Sequence, residues 1–313
     1  MANGSGPAFG ERVEYGPNDV CYRHPRVHSF TLCQRCGRTI CPDCQNVSAV
    51  GVLCPDCARQ TRSGPAKRAA RATRVTGRRL AASSTPVTYG IMIVCALVYV
   101  AQLLSHYFGA DGVTFALWYA PLYSLPSDLF GLPTSFEPWR MVTVMFTHST
   151  GFIFHILFNL YALWLFGRNL EGIIGRVQFL VLYLFAGVGG ALGVMFWVYV
   201  DPSSINQPTV GASGAIFGVL AATLVAFRAS RVNVTSLAVL IAINFGIGLL
   251  PGANISWQAH LGGMIVGAAT MGVMYALRGP RKRTRRIVSL VGLGVVLAAL
   301  GCAYFVALPA VLG

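Results

Sequence analysis

The chain has 313 residues, of which 55% are hydrophobic and 11% are charged, and its mean hydropathy is +0.61. A soluble domain carries more charge on its surface, so this composition excludes an ordinary soluble protein and predicts several membrane spans. The net charge of +14 at first suggests a nucleic-acid binder. Most Lys and Arg residues, however, lie in short clusters beside apolar runs, where such residues anchor and orient membrane helices. We therefore expect a membrane-lipid environment and no nucleic-acid partner.

Residues 1–60 form a polar head that contains seven of the nine cysteines. Metal-binding residue types occur there as four pairs, each with a two-residue gap: Cys21 and His24, Cys33 and Cys36, Cys41 and Cys44, and Cys54 and Cys57. Such a gap lets both side chains of a pair reach one metal ion, and two pairs complete a tetrahedral site. The eight residues therefore predict two structural zinc ions in this head.

A disulfide framework is the alternative for the head. Seven is an odd number of cysteines, however, and the head is expected on the reducing, cytoplasmic side of the membrane. The spacing resembles a B-box-type zinc finger, which implies that the first and third pairs share one ion and the second and fourth pairs the other. The last pair consists of cysteines where B-boxes usually have histidines, so a sequential pairing stays open. The head is interpreted either as a folded cap or as a docking module for a cytoplasmic partner.

The rest of the chain alternates between basic and apolar segments. Residues 61–86 combine Arg and Lys with small and polar residues and are predicted to be a solvated linker. Apolar runs then recur that approach the roughly 20 residues needed to cross a bilayer. Seven spans are predicted, at about 87–108, 150–167, 177–199, 210–227, 233–250, 257–277 and 287–311. The fold class is thus an all-α polytopic membrane protein, with a six-span core over residues 87–277 and a basic loop plus a seventh span over 278–313.

The basic residues also predict how the spans are oriented in a cell membrane. If the N-terminus is cytoplasmic, the linker and the basic clusters that follow the second, fourth and sixth spans all lie inside, and Arg140 alone lies outside. Cytoplasmic segments carry the excess of Lys and Arg. We therefore expect a multi-pass protein with a cytoplasmic N-terminus and an external C-terminus.

Ionisable or nucleophilic side chains inside apolar spans are candidates for function. His155 and Asn159 lie four residues apart, on one face of the second span. Ser213 opens the fourth span, and His260 lies near the start of the sixth. These three spans run in the same direction across the membrane, so all four residues are expected at a similar shallow depth below the outer surface.

Chemistry assigns a role to each of these residues. Gly214-x3-Gly218 and Gly263-x3-Gly267 permit the fourth and sixth helices to approach closely, so Ser213 can act as a nucleophile and His260 as its general base. His155, Asn159 and the Ser213 backbone N–H are the predicted oxyanion donors. No Asp or Glu lies in the fourth to sixth spans, which favours a Ser–His dyad over a triad, and catalysis is expected to need no cofactor.

The motifs around these residues resemble those of the rhomboid family of intramembrane serine proteases: His155-x3-Asn159, Glu137-Pro138-Trp139-Arg140, Gly211-Ala212-Ser213-Gly214 and Ala259-His260-Leu261-Gly262-Gly263. The resemblance covers about residues 87–277. It implies a six-helix core, to which this chain adds a seventh span, and cleavage of transmembrane protein substrates near the outer membrane face. It also implies that Trp139 and Arg140 support the first outer loop and that Phe158 lies near the substrate entrance.

Two other classes of function are alternatives to an enzyme. A non-catalytic rhomboid-like protein would bind client transmembrane helices without cleaving them, but this chain keeps both Ser213 and His260. A transporter would use His155, Asn159 and His260 as a polar pathway and would require buried carboxylates or inverted repeats. The sequence shows neither feature, so the protease is the favoured hypothesis.

Overall fold

The computed structural model describes residues 16, 19–48, 51–61, 85–109, 111–125, 136–250 and 252–312, with the backbone alone for residues 60, 61 and 304–312. The chain divides into two compact units, Met1–Arg79 and Leu80–Gly313. The basic linker predicted over residues 61–86 lies almost entirely outside the described residues.

The first unit contains little regular secondary structure. A two-stranded antiparallel hairpin of β1 (Asn46–Ser48) and β2 (Gly51–Leu53) is followed directly by helix α1 (Pro55–Thr61). Apart from Ile40 and Leu53, the buried hydrophobic core described in this unit consists of cysteines. A core this small supplies little apolar burial.

The second unit is built from apolar helices. Helix α2 (Pro86–Tyr107) is followed by the short helices α3 (Gly112–Leu117) and α4 (Arg140–Thr143). Helix α5 (Ile153–Ala162) continues through a π-helical turn, Leu163–Gly167, into α6 (Arg168–Ile174). The remaining helices are α7 (Arg176–Trp197), α8 (Ser213–Ala229), α9 (Thr235–Gly248), α10 (Trp257–Ala276) and α11 (Arg283–Leu312).

The helices confirm a polytopic membrane protein with a six-helix core and a seventh span. Among the described residues, four segments are long and apolar enough to cross a membrane: Pro86–Tyr107, Arg176–Trp197, Trp257–Ala276 and Pro280–Ala303. Ser213–Ala229 and Thr235–Gly248 are shorter apolar helices.

Two boundaries differ from the sequence prediction. The second span runs on through α6 to Ile174 instead of ending near residue 167, because Glu171 inside that extension is buried and hydrogen-bonded. The seventh helix begins at Arg283, so Arg283, Arg285 and Arg286 belong to its first turn and not to a basic loop.

Helices α7, α8 and α10 form the centre of the bundle. The most apolar stretch of α7 is 61% buried, whereas that of the seventh span is 6% buried, so α7 is central and α11 is peripheral. A Cβ atom on Gly263 would overlap the carbonyl of Gly214, and one on Gly267 would overlap that of Gly218. The predicted glycine contact between the fourth and sixth spans is therefore confirmed, and it holds the two backbones close together.

Candidate active site

Ser213 is placed by a sharp turn in front of α8. Gly211 has φ +128°, a conformation that favours glycine because it lacks a side chain, and its N–H donates to the Val144 carbonyl at 3.3 Å. The chain then turns into α8, whose first residue is Ser213. The first N–H groups of a helix have no acceptor within the helix. The serine hydroxyl thus lies beside backbone donors that are able to bind an anion.

His260 faces this serine from the second turn of α10. Its Nε2 atom is 2.9 Å from Ser213 Oγ, and its side chain is 5% exposed. The ring of Phe217, one turn after Ser213, stacks on the imidazole with a centroid distance of 4.0 Å and an interplanar angle of 15°. Among the described residues, His260 Nδ1 has no hydrogen-bond partner. Ser213 and His260 therefore lie within hydrogen-bonding distance of each other, and the Phe217 ring covers one face of the imidazole.

His155 lies on the other side of Ser213. Its Nδ1 atom accepts a hydrogen bond from the Ser149 N–H at 3.1 Å, so a neutral His155 carries its proton on Nε2 and donates from there. A Cβ atom on Gly211 would lie 2.9 Å from His155 Nε2 and 3.5 Å from Ser213 Oγ. Because residue 211 is a glycine, this volume stays open, and it lies where an oxygen could contact both the donor and the nucleophile.

Asn159 lies one turn after His155 and is 7% exposed. Its amide nitrogen donates to the His155 carbonyl at 2.7 Å, which uses one of the two amide hydrogens. The second hydrogen remains for a ligand. All four predicted residues, His155, Asn159, Ser213 and His260, line one cavity of about 540 Å³. The half-exposed ring of Phe158 also lines this cavity, in agreement with the place that the resemblance implies for it.

The Glu137-Pro138-Trp139-Arg140 motif has a structural role outside the cavity. The Arg140 guanidinium is buried, donates to the carbonyls of Phe115 at 2.6 Å and Trp118 at 3.1 Å, and pairs with Glu137. Arg140 therefore ties the described parts of the connection between α2 and α5 together, as the resemblance implies. Trp139 is 55% exposed, so the support comes mainly from Arg140.

Sequence reasoning missed two polar residues that hold the helices around the site. Glu171, 1% exposed, accepts hydrogen bonds at the start of α2 from Val87 N–H at 3.0 Å and from Thr88 N–H and Oγ1, both at 2.7 Å. Gln102, fully buried in α2, exchanges hydrogen bonds of 3.0 Å with the backbone N–H and C=O of His148. A polar residue inside an apolar run is the signal that could have indicated both.

The head contains two groups of metal-binding atoms. Cys21, His24, Cys41 and Cys44 form one group, and Cys33, Cys36, Cys54 and Cys57 form the other. Within each group the ligand atoms lie within 4.8 Å of one another. The groups follow the interleaved pairing that the B-box resemblance implies and not the sequential one.

The donor geometry of the head fits a tetrahedral ion. Zinc–sulfur bonds of about 2.3 Å place the sulfur atoms of a tetrahedron about 3.8 Å apart. The sulfur atoms of Cys36 and Cys54 are 3.8 Å apart, and His24 Nδ1 lies 3.2 Å from Cys41 Sγ and 3.4 Å from Cys44 Sγ. Burial, together with the neighbouring thiols of Cys21 and Cys41, raises the pKa of Cys44 to about 12. A divalent cation would remove this penalty on the thiolate.

These observations define a multi-pass helical membrane protein with a partly buried serine–histidine pair and two groups of side chains that could hold metal ions. Residues 135–277 match the family model described as Rhomboid domain. This part of the chain is therefore similar to the rhomboid domain.

Several curated proteins are similar to this domain. Rhomboid protease GluP of Bacillus subtilis (strain 168) is 37% identical over 146 residues, which is 44% of this chain and 27% of the relative. Rhomboid protease AarA of Providencia stuartii is 30% identical over 166 residues, 45% of this chain and 58% of the relative. RHOMBOID-like protein 6, mitochondrial, of Arabidopsis thaliana is 32% identical over 138 residues, 42% of each chain. The alignments thus cover less than two thirds of each relative's length.

Proposed function

We propose that this protein is an intramembrane serine endopeptidase that cleaves transmembrane protein substrates through a Ser213–His260 dyad. The observation that carries the proposal is the distance of 2.9 Å between Ser213 Oγ and His260 Nε2. A nucleophile and its base must lie within this range for the proton to transfer as the nucleophile attacks. The relatives that are named rhomboid proteases support the same reaction class.

The first chemical step is attack on a peptide bond of the substrate. Ser213 Oγ forms a bond to the carbonyl carbon while its proton moves to His260 Nε2. The carbonyl oxygen becomes an oxyanion, and we assign its stabilisation to His155 Nε2–H, the remaining N–H of Asn159 and the backbone N–H of Ser213. Loss of one such donor typically lowers the rate by about 100–1,000-fold.

The second step is collapse of the oxyanion intermediate. The C–N bond breaks, and the proton held on His260 Nε2 passes to the leaving amine, which leaves an ester between Ser213 and the substrate. A water molecule then attacks this ester and gives its proton to His260. As the ester C–O bond breaks, His260 returns the proton to Ser213 Oγ, and the second product is released. The cavity of about 540 Å³ beside the dyad supplies space for a substrate segment and for water.

Covalent labelling with a fluorophosphonate probe tests the dyad. The wild-type protein is expected to be labelled, and the Ser213→Ala and His260→Ala variants are expected to remain unlabelled and unable to cleave a tagged transmembrane substrate. Ser236→Ala, which replaces an exposed serine on α9, is the matched control and should behave as the wild type. Labelling or cleavage by Ser213→Ala would refute the nucleophile, and an unlabelled wild-type protein would favour a non-catalytic binder of client helices.

We further propose that each metal-binding group of the head holds one structural zinc ion, and that residues 1–60 act as a separate cytoplasmic domain before the membrane core. The charge bias of the connecting segments supports a cytoplasmic N-terminus and an external C-terminus in the cell membrane. Cleavage would then take place near the outer face. Docking of a cytoplasmic partner by the head stays a prediction.

A further inference from the structure

A second cavity lies at the opposite end of the helices from Ser213. Its volume is about 290 Å³. It opens between the ends of α6, α8 and α10 and the starts of α7 and α11. We call it the cationic cavity, and its polar lining consists of Gln178, Ser230, Tyr275, Arg278 and Arg286.

Tyr275, in the last turn of α10, and Arg278, which follows the helix, form one wall of this cavity. The Arg278 guanidinium lies 4.0 Å from the centroid of the Tyr275 ring, and the Tyr275 hydroxyl donates to the Ala229 carbonyl at 2.7 Å. This hydroxyl bond links the end of α10 to the end of α8. Stacking occupies the face of a guanidinium and leaves its in-plane N–H groups directed outward, where they match the oxygens of a phosphate.

No carboxylate in the described part of the chain balances the positive charge of the cavity. Among the described residues, neither Arg278 nor Arg286 takes part in an ion pair. The sequence contains no Asp or Glu from residue 202 to 313, and the carboxylate of Glu171 is buried against Thr88. The helix ends here supply only partial negative charges. An external anion is therefore needed to neutralise the site.

The floor of the cavity is apolar. Ile174, Met271 and Met274 line it, and the two methionines are 2% and 3% exposed. A cationic rim above an apolar floor suits a ligand that carries a phosphate at one end and hydrocarbon at the other. Basic pockets between the ends of membrane helices are typical binding sites for anionic lipid head groups.

We propose that the cationic cavity binds the phosphate-bearing head group of an anionic phospholipid. Arg278 and Arg286 contact the phosphate, and the first carbons of the lipid contact Met271 and Met274. Arg286 belongs to α11, which lies outside the six-helix core, so the bound lipid joins the peripheral seventh helix to the end of α10. This binding is independent of catalysis, and the Ser213→Ala variant is expected to bind the lipid as the wild type does.

Thermal unfolding of the delipidated full-length protein in a neutral detergent tests the site. Dioleoyl phosphatidylglycerol should raise the unfolding temperature in a saturable way, since a ligand of the folded state stabilises it. Dioleoyl phosphatidylcholine and inorganic phosphate should have much weaker effects. Arg278→Gln and Arg286→Gln should each weaken the apparent affinity about tenfold. Arg283→Gln, which changes an exposed arginine outside the cavity lining, should leave it unchanged.

Several results would overturn the proposal. Equal shifts of the unfolding temperature with phosphatidylglycerol and phosphatidylcholine would show that the cavity does not distinguish lipids by charge. A shift with inorganic phosphate equal to that with phosphatidylglycerol would indicate a site for a free anion. Equal losses in Arg283→Gln and Arg286→Gln would indicate nonspecific attraction to basic surface. If a glutamine variant does not fold, native mass spectrometry of the Arg278→Lys/Arg286→Lys variant decides the question. Because lysine keeps the charge but loses the planar N–H pair, bound phosphatidylglycerol is expected below the wild-type level but above that of phosphatidylcholine. Its complete loss alongside retained phosphatidylcholine binding would refute the charge contact.

Discussion

The carboxylate of Glu171 provides a quantitative test of how the core is held together. It accepts two backbone N–H groups and one hydroxyl at the start of α2, over distances of 2.7 to 3.0 Å. Both Glu171 and Thr88 are buried, at 1% and 0% exposure. Glu171 lies 84 positions after Val87 and 83 positions after Thr88 in the sequence, so these bonds fasten the second span to the first.

The Glu171→Gln substitution keeps the shape of the side chain but exchanges one acceptor oxygen for an NH₂ donor. If the remaining oxygen stays on Thr88, the new NH₂ group faces the N–H of Val87. Two donors then oppose each other, and the Val87 N–H loses its acceptor. Two further bonds lose their charge, and so does the favourable interaction with the N-terminus of α2. We expect the free energy of unfolding to fall by about 2–4 kcal/mol. Thr88→Val, which removes only the hydroxyl donor, should lower it by about 1–2 kcal/mol.

The measurement is equilibrium unfolding of the purified chain in mixed micelles, with tryptophan fluorescence recorded against the mole fraction of a denaturing detergent. Asn169→Ala is the matched control, because Asn169 is exposed on the same helix and bonds only to the local Leu165 carbonyl; it should stay within about 0.5 kcal/mol of the wild type. The double variant of Glu171 and Thr88 should lose less than the sum of the single losses. Equal stability of Glu171→Gln and Asn169→Ala would refute the reasoning.

Three further predictions concern the dyad and the head. Gly211→Ala should lower cleavage at least about 100-fold, because its Cβ would lie 2.9 Å from His155 Nε2; near-normal cleavage by a folded variant would exclude an oxyanion there. Phe217→Leu should slow fluorophosphonate labelling about 3–10-fold through loss of the ring stack, whereas Phe217→Tyr should not, and equal rates would contradict a positioning role. Metal analysis of the full chain should find about two zinc ions, from two four-ligand groups, and a metal content near zero would exclude the metal sites. A strong chelator should remove the zinc without preventing labelling of Ser213. Lost labelling would contradict a purely structural role for the zinc.

The sequence predicted most of the helical order because long apolar runs leave few other structures in a membrane. It also predicted that His155, Asn159, Ser213 and His260 lie close together, because their spans run in one direction and each residue comes early in its span. The interleaved groups of the head followed from a resemblance, since a two-residue gap alone fits either pairing. These predictions depend on periodicity and spacing, which are local properties of the chain.

The parts that were not predicted depend on contacts between distant residues. The extension of the second span to Ile174 requires a partner for Glu171, and that partner lies at the beginning of α2. The early start of α11 at Arg283 was missed because arginines suggested a loop, although they have good helix propensity. Neither boundary can be predicted from hydropathy, because each depends on where a charged side chain finds a hydrogen-bond partner or contact with water.

In the described part of the chain no carboxylate lies beside His260, so other contacts must hold the proposed base in place. In a triad, an acidic residue orients the imidazole and stabilises its protonated form. Here the Phe217 ring covers one face of the imidazole, and the contact between Gly214 and Gly263 fixes the distance between the helices that carry Ser213 and His260. Orientation is thus supplied by packing. In the proposed mechanism no carboxylate stabilises the protonated imidazole, so packing alone cannot replace that function of an acidic residue. The same packing explains why a larger residue at Gly263 would separate the dyad without touching either of its members.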